Sequence, residues 1–331
     1  MHVLVIGGTR FVGYFLVWRL LARGDQVTIL NRGTLPDPFG TRVERLHGDR
    51  SKGDFARLVA GRSFDAAVDF VAYNRRDVDE VVGSLKTRHY VFISTGQVYL
   101  VKKSCPRPAR EEDYAGSVMA RPQDPDEQWE WDYGKGKRDA EDVLRGRTDF
   151  RSTRIRIPIV NGERDTSRRL ESYLWRLLDG GPVILPDGGD NRIRHVYGRD
   201  VARTIVDLLG NAATFGRAYN LANDETPMLR ELVSLLADEL GARSRVVGVT
   251  SKRLLDEEIV ASRISPFSSY WQSFLEPAKA RSEIGWKPTP LAVQVKSIVA
   301  SFLSRVPESP PDGYATRSRE IELAKRLERV G

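Results

Sequence analysis

His2-Val-Leu-Val-Ile6, then Gly7-Gly-Thr-Arg-Phe-Val-Gly13, then the segment Phe11–Arg23, then Gln26-Val-Thr-Ile-Leu30 ending at Asn31-Arg32-Gly33: this opening decides the fold. The first run is apolar on every residue after His2, and β-branched at all of them but Leu4, as suits a strand buried on both faces. The glycines permit a tight turn and bring backbone N–H groups close to a helix N-terminus, where the orphan donors and the dipole favour an anion. The following segment repeats apolar residues at Phe11, Phe15, Trp18 and Leu21-Ala22, widened by Leu16 and Leu20, and Gly24 is a suitable stop. Strand, glycine turn, helix and strand in this order read as the start of a dinucleotide-binding unit. Arg10 stands where such turns place their middle glycine.

Strands and helices continue to alternate. Arg42–His47, Asp65–Ala72, His89–Ser94 and Thr153–Ile157 read as strands; Asp54–Ala60, Arg76–Leu85 and Trp129–Arg145 read as helices. The expected architecture is α/β, a Rossmann-like doubly wound parallel sheet with a smaller C-terminal α/β cap. The expected division is a dinucleotide-binding domain over 1–162, a mainly substrate-binding cap over 163–305 with crossings back to the core, and a tail helix within 306–331. Residues 101–128 are proline-rich and charged with little periodicity. They read as a long surface excursion, functional or mobile, and as a substrate lid with Trp129 and Trp131 near its base, where the two rings serve packing or recognition.

Composition narrows the setting. The single cysteine, Cys105, excludes an internal disulfide, and the four histidines have no metal-ligand spacing, so no metal site is expected. No apolar run reaches the ~18 residues of a bilayer span, and no stretch reads as a secretory signal. A reducing cytoplasm is the expected compartment. The net charge of +7 arises from 52 basic against 45 acidic residues, interspersed and without a dense basic run. It fits either an anionic partner or a solvated basic surface.

Further features fall in a fixed order: Asn31-Arg32, Gly48-Asp49-Arg50, Val71-Ala72, Ser94-Thr95-x-x-Val98-Tyr99, Tyr133-x-x-x-Lys137, Arg156 with Pro158 to Gly162, Arg199-Asp200-Val201-Ala202, and Lys279-Ala-Arg-x-x-Ile-Gly-Trp-x-Pro288. With the glycine turn, they resemble the extended branch of the short-chain dehydrogenase/reductases, the nucleotide-sugar epimerase/dehydratase family. The resemblance runs from residue 1 to about 303 and leaves out the terminal helix. The turn itself is similar to an atypical subgroup that includes bacterial reductase-like proteins and chloroplast stem-loop RNA-binding proteins.

The resemblance implies catalytic roles for Tyr133, Lys137 and Thr95. Tyrosine, with pKa near 10, is a poor base at neutrality, and a lysine ammonium one helical turn away favours the phenolate. The resemblance further implies cofactor contacts at Gly7, Thr9, Arg10, Phe11, Val12, Asn31, Arg32, Asp49, Arg50, Val71, Ala72, Tyr133, Lys137, Pro158 and Ile159, with Asp49 on the adenine amino group and Lys137 on the nicotinamide ribose. Asn31-Arg32 places no carboxylate at the end of the second strand, and two guanidinium groups suit a 2′-phosphate. NADP is the expected cofactor, with NAD as the alternative. Tyr73, Gln97, Arg192 and Arg194 are substrate candidates. The last two flank Ile193, where the family's phosphate-gripping arginine would fall. The dehydratases' Asp-Glu pair is replaced by Gly96 and Gln97, which argues against water elimination. The expected activity is hydride transfer at a carbonyl or secondary alcohol carbon by an epimerase or reductase. The substrate is a sugar nucleotide or a small specialised metabolite, and the enzyme is a homodimer by analogy. RNA binding on the same fold is the competing reading, although the chain keeps the catalytic pair and no nucleic-acid partner is expected.

Overall fold

The computed structural model describes residues 1–243, 245–269 and 271–329; residues 330 and 331 of the expected tail lie outside the described residues. The chain forms two compact units. The first comprises Met1–Val160, Val196–Ala222 and Ser273–Pro288; the second comprises Asn161–His195, Asn223–Gln272 and Thr289–Gly331.

The first unit is built on β1 (His2–Ile6), α1 (Phe11–Arg23), β2 (Gln26–Asn31), β3 (Val43–His47), α2 (Asp54–Val59), β4 (Ala66–Asp69), α3 (Arg75–Ser84), β5 (Tyr90–Thr95), α4 (Gln97–Leu100), α5 (Pro125–Arg145) and β6 (Ser152–Ile157). Its sheet has seven strands in the order Ala218–Asn220, β6, β5, β4, β1, β2, β3. The pairings are parallel throughout. It is the doubly wound Rossmann-like α/β fold that the opening residues imply. Side chains of β1 alternate between two cores. Val3 and Val5 join α1 and the helix Gly198–Leu208 on one face, while Leu4 and Ile6 join α3 and α5 on the other. With β1 at the centre and β4 beside it, the chain reverses direction of winding between them, and sheets of this kind bind ligands at that point beyond the strand ends.

Local differences from the sequence reading have physical causes. The buried centre of α1 is Val12, Leu16, Val17 and Leu20, and Phe15, Trp18 and Leu21 pack partly exposed beside it. Their large side chains mark the flank of the stripe rather than its middle. Trp18 packs edge-on to Phe39, with the Arg42 guanidinium over its indole. The fourth strand stops at Asp69 rather than at residue 72. The Asp69 carboxylate accepts from the Val71 and Ala72 N–H groups, both at 2.9 Å, and turns the chain away. Helix α5 starts at Pro125, four residues before Trp129, in keeping with proline's fitness for a first helical turn.

The 101–128 excursion is tied down rather than free. Ala109 donates to the Phe274 carbonyl at 2.7 Å and accepts from Glu276 at 2.8 Å. Tyr114 is buried, and its hydroxyl donates to the Arg138 carbonyl at 2.9 Å.

In the second unit the strands Val183–Pro186 and Val246–Val249 pair in parallel. The latter escaped the sequence reading because Val246-Val-Gly-Val249 is four residues long and interrupted by glycine. The charged terminal helix, Arg317–Glu328, buries Leu323 in an apolar cluster and docks through a buried ion pair, Arg176 to Glu320 at 2.7 Å. Among the described residues, no helix is long and apolar enough to cross a membrane.

Candidate active site

The candidate cofactor residues cluster at the C-terminal ends of the first unit's strands. Gly7 follows β1, and its N–H donates to the Leu30 carbonyl at 2.9 Å. Thr9 is half-buried, and Arg10 is exposed at the N-cap of α1. Arg10 offers no side-chain cap and the first turn has no acidic residue, so the helix start keeps donors for an anion. Phe11 opens the helix at φ +42°, a left-handed value, and Val12 behind it is buried. A Cβ at Gly13 would lie 2.7 Å from the Gly8 backbone, so α1 packs directly on the turn as a pyrophosphate cradle requires. These residues fit a dinucleotide.

At the end of β2, the Asn31 side chain accepts from the Gly33 N–H at 2.8 Å, and Arg32 is exposed. Asp49 is occupied locally. Its Oδ1 accepts from the Ser51 N–H at 2.9 Å and from the Ser51 hydroxyl at 2.7 Å, and these bonds hold its carboxyl below the usual value. Arg50 turns inward. It pairs with Asp69 at 2.9 Å and lies over the Phe55 ring. Asp69, which drew no notice in the sequence, is the hub here. Fully buried, it holds Arg50, the Val71 and Ala72 amides and the Tyr90 hydroxyl, the last at 2.8 Å. Pro158 is buried and Ile159 half-buried just beyond β6.

The candidate catalytic residues meet where α5 crosses the end of β5. Lys137 is buried, and its Nζ donates to the Ile93 carbonyl at 2.8 Å. It lies between the Tyr73 and Phe92 rings, 5.0 and 4.8 Å from their centroids. Burial lowers the Lys137 pKa to about 8, against partial support from Asp69 and Asp77. The ammonium charge that the tyrosine needs is therefore held less firmly than spacing alone implies. α5 gets this close because of Gly136, where a Cβ would stand 2.6 Å from the Tyr73 carbonyl oxygen.

Tyr133 is half-buried, with the Trp129 ring stacked on it at 5.9 Å and 8° and the Tyr73 ring 6.3 Å away. Trp129 is 67% exposed, which makes it a plate at the site's edge rather than core. Thr95 Oγ1 accepts from the Gln97 N–H at 3.2 Å, and the Gln97 amide donates to Glu130. Glu130 is three residues before Tyr133, one turn along the same face. Sequence reasoning removed carboxylates from this end of β5 because Gly96 and Gln97 replace an acidic pair. The fold returns one from α5, and its spacing from Tyr133 was the available signal.

Of the remaining candidates, Arg192 donates to the Thr226 carbonyl at 3.1 Å and Arg194 to the Asn223 carbonyl at 3.0 Å. Both lie in the second unit, and Ile193 between them is buried.

The NAD dependent epimerase/dehydratase family model matches residues 3–222. The chain is 26% identical over 302 residues to the chloroplast stem-loop binding protein of 41 kDa b of Arabidopsis thaliana, a match covering 86% of this chain and 75% of that protein. Similar solved structures include UDP-glucose 4-epimerase of Thermotoga maritima with UDP-glucose (TM-score 0.71, 17% identity, 92% of this chain and 99% of that one). They also include dTDP-glucose 4,6-dehydratase of Streptomyces venezuelae with NAD (0.69, 21%, 92% and 98%). A third is UDP-glucuronic acid 4-epimerase of Bacillus cereus with UDP-glucuronic acid and NAD (0.68, 17%, 92% and 99%). These structural likenesses establish the fold, and the family match extends over the glycine turn, Thr95, Tyr133 and Lys137 alike. The chain belongs to the NAD dependent epimerase/dehydratase family of enzymes.

Proposed function

We propose that this protein is an oxidoreductase of the epimerase or reductase type, that Tyr133 is its acid/base, and that it prefers NADP. The observation that carries the reading is the convergence at the end of β5. Thr95, Gln97 and Glu130 form one hydrogen-bonded chain, and Tyr133 and Lys137 stand on the same helix as Glu130. A nicotinamide cofactor at the strand ends supplies hydride acceptance and donation. The chain's own residues handle the proton and the orientation. The Tyr133 phenol gives or takes the proton of the substrate hydroxyl, Thr95 Oγ1 donates to the same oxygen, and protonated Lys137 favours the phenolate. The exposed Trp129 face, with Tyr133 beneath it, offers a wall for a flat or ringed substrate group.

Exposed Arg10 and Arg32, with Asn31 rather than an acidic residue at the end of β2, support NADP over NAD. Calorimetric titration with NADPH and NADH tests this. Tighter NADH binding that Arg32→Ala leaves unchanged contradicts it. A sugar nucleotide is the proposed substrate class, supported by the solved relatives that bind UDP-sugars. Turnover without net cofactor consumption identifies an epimerase, and stoichiometric loss of NADPH a reductase. A homodimer belongs to the same proposal, and sedimentation of the purified chain tests it.

The stem-loop binding relative and the net charge of +7 favour one second reading, RNA binding on the same fold. Filter binding across a salt series decides it. Absence of binding above background at low salt removes it.

A further inference from the structure

Arg154 lies mid-strand on β6, between Phe92 of β5 and Ala218 of the edge strand. It is 5% exposed. One of its nitrogens, Nη2, donates to the Gly216 carbonyl, while Nε and Nη1 are buried without a partner among the described residues. Among the described residues no carboxylate forms an ion pair with it. A buried guanidinium with two idle donors is costly, since each unsatisfied group forfeits its desolvation and an unpaired charge forfeits more. The fold tolerates it beside a cavity of about 470 Å³, far larger than the space one water occupies.

The cavity wall is cationic. Arg145, Arg154, Arg156, Arg217 and Lys279 all line it. Arg156 is committed to Glu141 at 2.6 Å, and Lys279 donates to the Ala218 carbonyl at 3.1 Å. Arg217 stands at the mouth, half-exposed and only loosely placed at 3.7 Å from Glu283. Two glutamates share the wall with these five basic residues. Glu111 accepts from the Asn220 N–H at 2.6 Å, and burial pushes its carboxyl up towards the neutral form; Glu112 is exposed at the rim, 3.9 Å from Arg110. Arg156 reaches Glu141 of α5 from this wall, and none of the cofactor or catalytic candidates lines the cavity.

We propose that this cavity is a second binding site, separate from the cofactor and catalytic residues, for a small molecule carrying a phosphate or carboxylate oxyanion that accepts from Arg154. The volume admits a phosphorylated or carboxylated metabolite rather than a bare ion. Arg217 and Lys279 close the charge balance around it, because cationic donors in a concave, partly desolvated wall favour an oxyanion strongly.

Calorimetry on the full chain at low salt tests the assignment with inorganic phosphate in one arm and succinate in the other. Saturable binding of either is expected, and the arm that binds names the chemistry. The same anion should bind at least tenfold more weakly to Arg154→Met and several-fold more weakly to Arg217→Ala. Arg217 is half-exposed, so its variant decides the matter if Arg154→Met does not fold. Absence of saturable binding in both arms, binding that both variants leave unchanged, or binding of RNA alone overturns the proposal.

Discussion

Lys137 Nζ donates to the Ile93 carbonyl at 2.8 Å, which fastens α5 to the strand that ends two residues later in Thr95. The pair fixes the helix bearing Tyr133 against the strand bearing the threonine hydroxyl. It also places the lysine where burial brings its pKa to about 8.

That value sets two opposite pH dependences. Between about 8 and the ordinary 10.5, the unfolded chain binds more protons than the folded one, so the cofactor-free protein should become more stable as pH rises through the window. Cofactor binding that needs the ammonium should weaken over the same window, by up to about 1.4 kcal/mol per pH unit. Denaturant midpoints and calorimetric affinities from pH 7 to 10 measure both. A Lys137→Met variant should bind cofactor weakly throughout and lack the inflection in either series.

Gly136→Ala sets helix propensity against space. Alanine gains about 1 kcal/mol in a helix interior. Here its Cβ meets the Tyr73 carbonyl oxygen at 2.6 Å, and that oxygen belongs to backbone. Overpacking of this kind costs about 1–3 kcal/mol. A lower denaturant midpoint and weaker cofactor binding are expected. A rise in midpoint of the full propensity gain would show that α5 need not approach so closely.

The buried ion pair of Arg176 with Glu320 has both side chains fully enclosed and two N–O contacts of 2.7 Å. Removing one partner strands the other in the interior. Glu320→Ala should therefore lose about 3–5 kcal/mol in chemical denaturation. A double replacement by well-packed apolar residues should recover much of that loss. If Glu320→Ala unfolds at the wild-type midpoint, the terminal helix is not held by this pair.

Glu141 governs the acid side. Burial alone would raise its carboxyl, but the Arg156 charge and the hydrogen bonds from Arg156 and Ser94 outweigh it and hold the group below its ordinary 4.5. Its contribution is present above that value and fades as pH falls through and below it. The wild-type denaturant midpoint should drop there. A Glu141→Gln/Arg156→Met double variant, less stable at neutrality, should show a shallower drop.

The sheet and its catalytic helix were legible because their signals are local: two-sided apolar strands, a glycine turn, and a Tyr-x-x-x-Lys spacing on one helical face. Asp69 was not legible, since its partners Arg50 and Tyr90 lie some 20 residues to either side and meet only when β4 sits between β1 and β5. Glu130 was hidden for the same reason, as its link to Gln97 crosses from α5 to α4. Arg154 looked like an ordinary strand arginine, and only the folded edge of the sheet shows that two of its nitrogens are left idle. The anchoring of the terminal helix rests on pairing across the second unit, which charge composition along 317–329 does not encode.

The most direct measurement follows the nicotinamide spectrum of the protein loaded with oxidised cofactor and mixed with a panel of UDP- and dTDP-sugars, for the wild type and Tyr133→Phe. Reduced nicotinamide should appear in the wild type and form about 10²–10⁴-fold more slowly in Tyr133→Phe, measured with both proteins saturated with cofactor. Equal rates in the two proteins would contradict the role of Tyr133, and no reduction with any member of the panel would contradict the sugar-nucleotide assignment.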